Sequence, residues 1–132
     1  MRVKENVMAS IFTKIINGEL PCYKIHEDEK TFAFLDINPE AKGHTLVVPK
    51  TEVGKLYDLS DEDWVAIWAS AKLIAKHMDE VTGRRTIIKV VGVDLPDHAH
   101  IHLIPYDETW EDDKSIKLRD EEFEEIWKKL AF

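Results

Sequence analysis

Asp97-His98-Ala99-His100-Ile101-His102-Leu103-Ile104-Pro105 sets three of the chain's six histidines at every second position, with apolar residues between them. In an extended strand successive side chains point to opposite faces, so His98, His100 and His102 form one row and Ala99, Ile101 and Leu103 the other. The spacing predicts a strand with imidazoles on one face and core on the other. Side chains two apart on a strand stand roughly 6.5–7 Å from each other, close enough for three rings to surround one small anion. Imidazole near neutral pH is a nucleophile, a proton donor or a metal ligand. A row of three can divide the first two tasks, chelate an ion, or be a structural feature of the strand.

Working outward, Ser10 caps a helical apolar run, Ile11-Phe12-Thr13-Lys14-Ile15-Ile16, which Asn17-Gly18 ends. Pro21 opens a strand, Cys22-Tyr23-Lys24-Ile25-His26; Asp28-Glu29-Lys30 is a turn, and Thr31-Phe32-Ala33-Phe34-Leu35-Asp36 completes a hairpin. Asn38-Pro39 interrupts it, and Gly43 permits the turn into a third strand, His44-Thr45-Leu46-Val47-Val48-Pro49. From Asp58 to Val81 the apolar period becomes 3.6, with Trp64, Ile67, Trp68, Ala71, Ile74, Ala75 and Met78 on one side, Ser60 and Asp63 as a capping pair, and Thr82-Gly83 as the stop. That aromatic stripe reads as core. Arg85 to Val91 is a fourth strand, Gly92 to Pro96 a connection, the histidine row a fifth strand, and Glu121 to Leu130 a final helix. Hairpin strands with helices beside them predict an α+β fold: an antiparallel five-stranded sheet with a long amphipathic helix, a short N-terminal helix and a C-terminal helix. Such a sheet can keep one face open to a ligand.

At 132 residues the chain is one domain, and a hydrophobic fraction of 44% beside a charged fraction of 33% is that of a globular protein. Residues 1–9 read as an N-terminal extension, 10–106 as the unit carrying the motifs, and 107–132 as an acidic tail and helix packed on it. No apolar run approaches the roughly 18 residues of a membrane span, and Met1 to Val7 is too polar for a secretory signal. These features predict a cytoplasmic protein with no membrane partner. Cys22 is the single cysteine, which rules out an internal disulfide and a multi-cysteine zinc cage. A formal charge of −8 argues against binding long nucleic acid, where a basic surface supplies most of the attraction. Lys42 and Lys50, near His44 and the row, are expected to offset Asp36 and Asp94, leaving room for a small anionic ligand.

Four separated segments resemble one family. His98-Ala99-His100-Ile101-His102-Leu103-Ile104 fits the histidine-triad (HIT) signature of alternating histidines and apolar residues. Ile11 to Pro21, Phe32 to Pro39 and Gly43-His44-Thr45-Leu46-Val47-Val48-Pro49-Lys50 follow the order of the family's other motifs, so the resemblance spans about Ile11 to Pro105. It implies a hydrolase or transferase acting at the α-phosphorus of purine nucleoside 5′-phosphate derivatives, such as AMP-amine phosphoramidates, through a nucleotidyl-histidine intermediate. His100 would be the nucleophile; His98 would hold phosphate and orient the central ring, His102 would donate to a phosphate oxygen, and His44 would complete the pocket. Asp36 would accept from the ribose hydroxyls, as an ionised carboxylate can. Ile11, Phe12, Ile15, Phe34 and Ile37 would wall the base. The resemblance implies no cofactor, no metal, and a homodimer joined through Arg85 to Val91 and the helix from Ser60 to Val81.

One region departs from the family pattern. Many members carry an asparagine after the fourth strand and a longer glycine-rich loop with Gly-Gln and a small hydroxyl residue; here Gly92-Val93-Asp94-Leu95-Pro96-Asp97 is shorter and lacks all three. Alternatives to the phosphoramidase reading are a diadenosine polyphosphate hydrolase, a nucleotide-binding module with little turnover, and a metallohydrolase using the histidine row. Trp110, just beyond the row, is either a contact for substrate or partner or an anchor for the tail.

Overall fold

The computed structural model describes residues 10–91 and 98–132. The extension read at 1–9 and the Gly92–Asp97 connection lie outside the described residues. Ser10 has extended backbone and accepts the Thr13 N–H at 3.0 Å, which starts α1 (Ile11–Ile16) as the cap pattern predicts. Gly18, at φ +80°, follows its end. Strands β1 (Lys24–Glu27), β2 (Thr31–Leu35) and β3 (Thr45–Pro49) come next, then a 3-10 turn (Leu56–Asp58) and α2 (Asp61–Thr82). Ser60 caps α2 by accepting from Asp63 N–H, and Gly83 closes it at φ +70°. Strands β4 (Thr86–Lys89) and β5 (Ile101–Pro105) and helix α3 (Asp120–Leu130) complete the order.

The five strands form one antiparallel sheet in the order β1-β2-β3-β5-β4. Its two faces do different work. One carries Val47, Leu35, Ile101 and Leu103 into a core shared with Ile67, Ile74 and Met78 of α2 and Phe123 and Leu130 of α3. Burying each such side chain stabilises the fold by roughly 1.5–3 kcal/mol. The other face carries Phe32, Phe34, Leu46 and Val48, with Phe12 of α1 laid over part of it. A side-chain relay ties the β1–β2 turn to α2: Thr31 Oγ1 donates to Ser70 Oγ at 2.8 Å, and Ser70 to Asp28 at 2.6 Å.

The sheet differs from the expectation at one informative place. The histidine row was predicted to be strand throughout, whereas β5 begins at Ile101 and only His102 of the three lies in the ladder. The backbone before Ile101 has other partners: Ala99 N–H donates to the Val53 carbonyl at 2.7 Å, and the His98 carbonyl accepts from the His100 ring at 2.8 Å. The alternation survives all the same, because Ala99, Ile101 and Leu103 face the core. Strand β4 is also shorter than the predicted Arg85 to Val91.

Candidate active site

Three rings are fixed in a buried wall by groups that leave little choice of tautomer. His98 Nε2 faces the Pro49 carbonyl, so Nε2–H donates to Pro49 O at 2.9 Å; Nδ1 then accepts from Ser10 Oγ at 2.7 Å. The cap of α1 thus also positions the first histidine. His100 Nδ1–H donates to the His98 carbonyl, which puts the neutral ring's lone pair on Nε2. Phe12 meets the His100 ring edge to face at 5.2 Å and an interplanar angle of 88°.

His44 extends the wall from β3's entrance. Its Nδ1 accepts the Glu40 backbone N–H at 2.9 Å, so the proton sits on Nε2 and points at His102 Nδ1, 2.9 Å away. His102 in turn carries its proton on Nε2. Burial, then the neighbouring His102, push the His44 pKa down to about 3, so this ring stays neutral. A one-way donor chain therefore runs from the Glu40 amide through His44 to His102.

Asp36 stands beside that chain, its Oδ2 3.6 Å from His44 Nε2. Burial raises its pKa, while its Oδ1 accepts the Asn38 N–H at 2.8 Å. Asp36, His44 and His102 are the group among the described residues whose ligand atoms lie within 4.8 Å of one another. The donor chain fits a divalent ion there poorly, because coordination at His44 Nε2 has to expel the proton that the Glu40 amide imposes. The predicted metal alternative used His98, His100 and His102, and both His98 nitrogens are engaged elsewhere.

These rings open on a cleft of about 540 Å³. Its apolar end is made by Ile11, Phe12 and Ile15 of α1, with Phe34 and Leu46 of the sheet. Ile37 and Asp36 lie at the corner beyond β2, and Asp113 and Ser115 of the tail line the cleft too. Phe12 and Phe34 are buried, whereas Ile11 is 55% and Ile37 70% exposed. Every residue predicted from the sequence for the nucleotide, and three of the four histidines, line this one cleft; His98 stands behind His100.

The HIT domain profile matches residues 17–109. The chain belongs to the HIT domain family. Among relatives, the adenosine 5′-monophosphoramidase of Schizosaccharomyces pombe is 37% identical over 105 residues, 74% of each chain. An uncharacterised HIT-like protein of Methanocaldococcus jannaschii is 34% identical over 126 residues, 91% of this chain and 97% of the relative. The crystal structure of a HIT-like protein from Bartonella henselae superposes with a TM-score of 0.83 at 32% identity, covering 92% of this chain and 93% of that one.

Sequence reasoning missed the residues that hold this HIT site from outside. Glu40 was not singled out, yet it accepts from Lys89 Nζ at 2.8 Å and from the Trp110 indole at 3.1 Å while its amide orients His44. Burial is the largest influence on its carboxyl and raises its pKa, but the two hydrogen bonds outweigh it and hold the group below the usual range. Ser10 was read as a cap alone; its second partner is 88 residues away, beyond any local pattern. Lys42 and Lys50 do not line the cleft: Lys42 pairs with Glu122 at 3.2 Å and Lys50 with Glu27 at 2.8 Å. Lys42 instead borders a separate cavity of 280 Å³ with Arg84 and Lys129.

Proposed function

We propose that this HIT protein hydrolyses purine nucleoside phosphoramidates of the AMP-amine type through a nucleotidyl intermediate on His100. The observation that carries the reading is the His100 ring, whose Nδ1–H is committed to the His98 carbonyl so that the lone pair lies on Nε2, beside the cleft's apolar end and Asp36. In the first step that lone pair attacks phosphorus. The His100 N–P bond forms, the P–N bond to the amine breaks, and the amine departs with the electron pair and takes up a proton. In the second step a water oxygen forms a bond to phosphorus and gives up a proton, which balances the one taken by the amine; the N–P bond breaks, its electrons return to His100, and AMP leaves. One difficult displacement becomes two easier ones.

The surrounding groups support that division of labour. His102, held as an Nε2–H donor by the chain from Glu40 and His44, suits a phosphate oxygen on which charge builds. His98 fixes the carbonyl that orients His100. Asp36 suits two ribose hydroxyls, and the apolar end with Ile37 suits a purine face. The named activity of the fission yeast relative, an adenosine 5′-monophosphoramidase, points the same way. No helix among the described residues is long and apolar enough to cross a membrane. Homodimer formation through β4 and α2 would cover Ile88, Val65 and Leu73, which are exposed on the single chain; a solution mass of one chain would overturn it.

The test is hydrolysis of AMP butylamidate by the protein and its His100→Ala variant, with and without EDTA, with mass spectrometry of protein quenched in alkaline denaturant, where a phosphorus–nitrogen bond survives. The expected result is EDTA-insensitive turnover, a nucleotidyl adduct on His100, and at least a ~10³-fold loss in the variant. AMP binding without turnover would leave a binding module; EDTA-sensitive turnover would move the chemistry to a metal.

A further inference from the structure

We propose that the cleft selects zwitterionic nucleoside phosphoramidates, those whose amine leaving group carries a positive charge of its own, over anionic and polyphosphate leaving groups, and that Asp113 sets this preference. The inference rests on the reading of the cleft as a nucleotidyl-transfer site. It starts from a charge imbalance. Asp36, Glu40 and Asp113 line the cleft, and no lysine or arginine among the described residues does.

The three lining carboxylates are not equivalent. Glu40 is neutralised from behind by Lys89. Asp36 faces His44 and is the carboxylate assigned to ribose. Asp113 makes no ion pair with any described residue, so its charge is left to the cleft and solvent. It is also held in place. The tail is strapped across the Asp36–Glu40 segment by Trp110 to Glu40 at 3.1 Å, Ser115 Oγ to the Asn38 carbonyl at 3.2 Å, and Ile116 N–H to the Pro39 carbonyl at 2.7 Å. Between these ties Asp113 adopts φ +63°, a left-handed conformation that Asp and Asn tolerate better than most residues.

The consequence for a ligand is one of sign. An AMP amidate brings one negative charge at phosphorus, and an ammonium on the amine's tail brings the ligand to neutrality. A polyphosphate leaving group adds several negative charges next to unneutralised carboxylates, with no cation of the described lining to offset them. Because Asp113 is exposed, the preference it creates is modest and weakens with salt.

Three AMP amidates with one spacer length test this: those of 1,5-diaminopentane, hexylamine and 6-aminohexanoate, whose tails are cationic, neutral and anionic. At low ionic strength kcat/KM should fall in that order, with about fivefold between cationic and neutral tails, and diadenosine tetraphosphate should be the poorest substrate. Asp113→Asn keeps the backbone conformation and should lower the cationic-to-anionic ratio by about fivefold. Glu111→Gln, in a tail acid that pairs with Lys114 and does not line the cleft, should leave the ratio alone. Binding of the same amidates to the His100→Ala variant, followed by calorimetry, reads the preference without turnover. Equal kcat/KM for all three, or a ratio that Asp113→Asn does not move, overturns the inference while hydrolysis itself upholds the catalytic reading. Charge-ordered binding with no turnover by the wild-type protein upholds the selection and overturns the chemistry.

Discussion

The two walls of the cleft are built in opposite ways. On the histidine wall the rings are buried and their tautomers are set by main-chain groups: the Pro49 and His98 carbonyls and the Glu40 amide. No side-chain substitution removes those groups directly. The facing wall, made of α1, Ile37 and the tail, presents exposed side chains at Ile11, Ile37, Asp113 and Ser115 beside the buried Phe12, and it is tied down mainly by side-chain bonds and single backbone contacts. The contrast teaches where each task can reside. Chemistry that needs fixed nitrogens is lodged in the sheet's hydrogen bonding, and recognition that varies with the ligand is left to residues the fold can spare.

The largest expected effect probes the two walls through a glycine in each. Gly43, directly before His44, sits at φ +94°, and a Cβ there would stand 3.0 Å from Pro105 Cγ and 3.3 Å from Leu130 Cδ1. Gly18, after α1, has φ +80° with nothing within 4 Å of such a Cβ. Both alanine variants incur the left-handed penalty, but only Gly43→Ala adds a clash in the core. Urea unfolding should show losses of about 3 kcal/mol for Gly43→Ala and about 1 kcal/mol for Gly18→Ala. Equal losses would break the comparison.

A smaller effect sharpens it through pH. His44 is 1% exposed, and burial followed by the His102 neighbour holds its folded pKa near 3, against about 6.5 unfolded. Between those values the unfolded chain binds the extra proton, so stability rises with pH through the window. The contribution is complete above about pH 6.5 and is lost as pH falls toward 3. From pH 6.5 to 5 the loss amounts to about 1–2 kcal/mol. The stability gap between the protein and His44→Gln should narrow by that amount over the same interval. A constant gap would mean that His44 is protonated when folded and that the donor chain to His102 runs differently.

What was legible in the sequence follows the same division. Helices α1 and α2 were readable because Ser10 and Ser60 cap them and glycine stops follow, all within a few residues. The strands were readable from alternation, and the five-stranded antiparallel sheet was found as expected. The position at which β5 enters the ladder was not, because Ala99 pairs with Val53 and the His98 carbonyl with a side chain, and alternation is blind to partners. Within the site, Asp36, His44 and the row stood out through motif order. Glu40, Lys89, Asp113 and Ser115 did not, since Lys89 reaches Glu40 from β4 and the tail folds back across residues 38–40. Nothing local marks Ser115 as the partner of Asn38, 77 residues earlier.

The smallest effect on stability falls on the facing wall and separates its two possible duties. Ile37 is 70% exposed, so Ile37→Ser removes little buried surface and should shift the unfolding free energy by less than about 0.5 kcal/mol. If this side chain covers a purine, the same variant should bind AMP about five- to tenfold more weakly, the price of roughly one lost apolar contact face; urea unfolding and calorimetric titration at one pH read the two numbers on one preparation. Phe34, on the same cleft but buried with Phe12, cannot make this distinction, because its loss empties the core along with the site. A destabilisation above 1 kcal/mol at Ile37 would place it among the core residues and erase the contrast between the walls. An unchanged affinity would move the base away from this corner, leaving α1 to hold it alone.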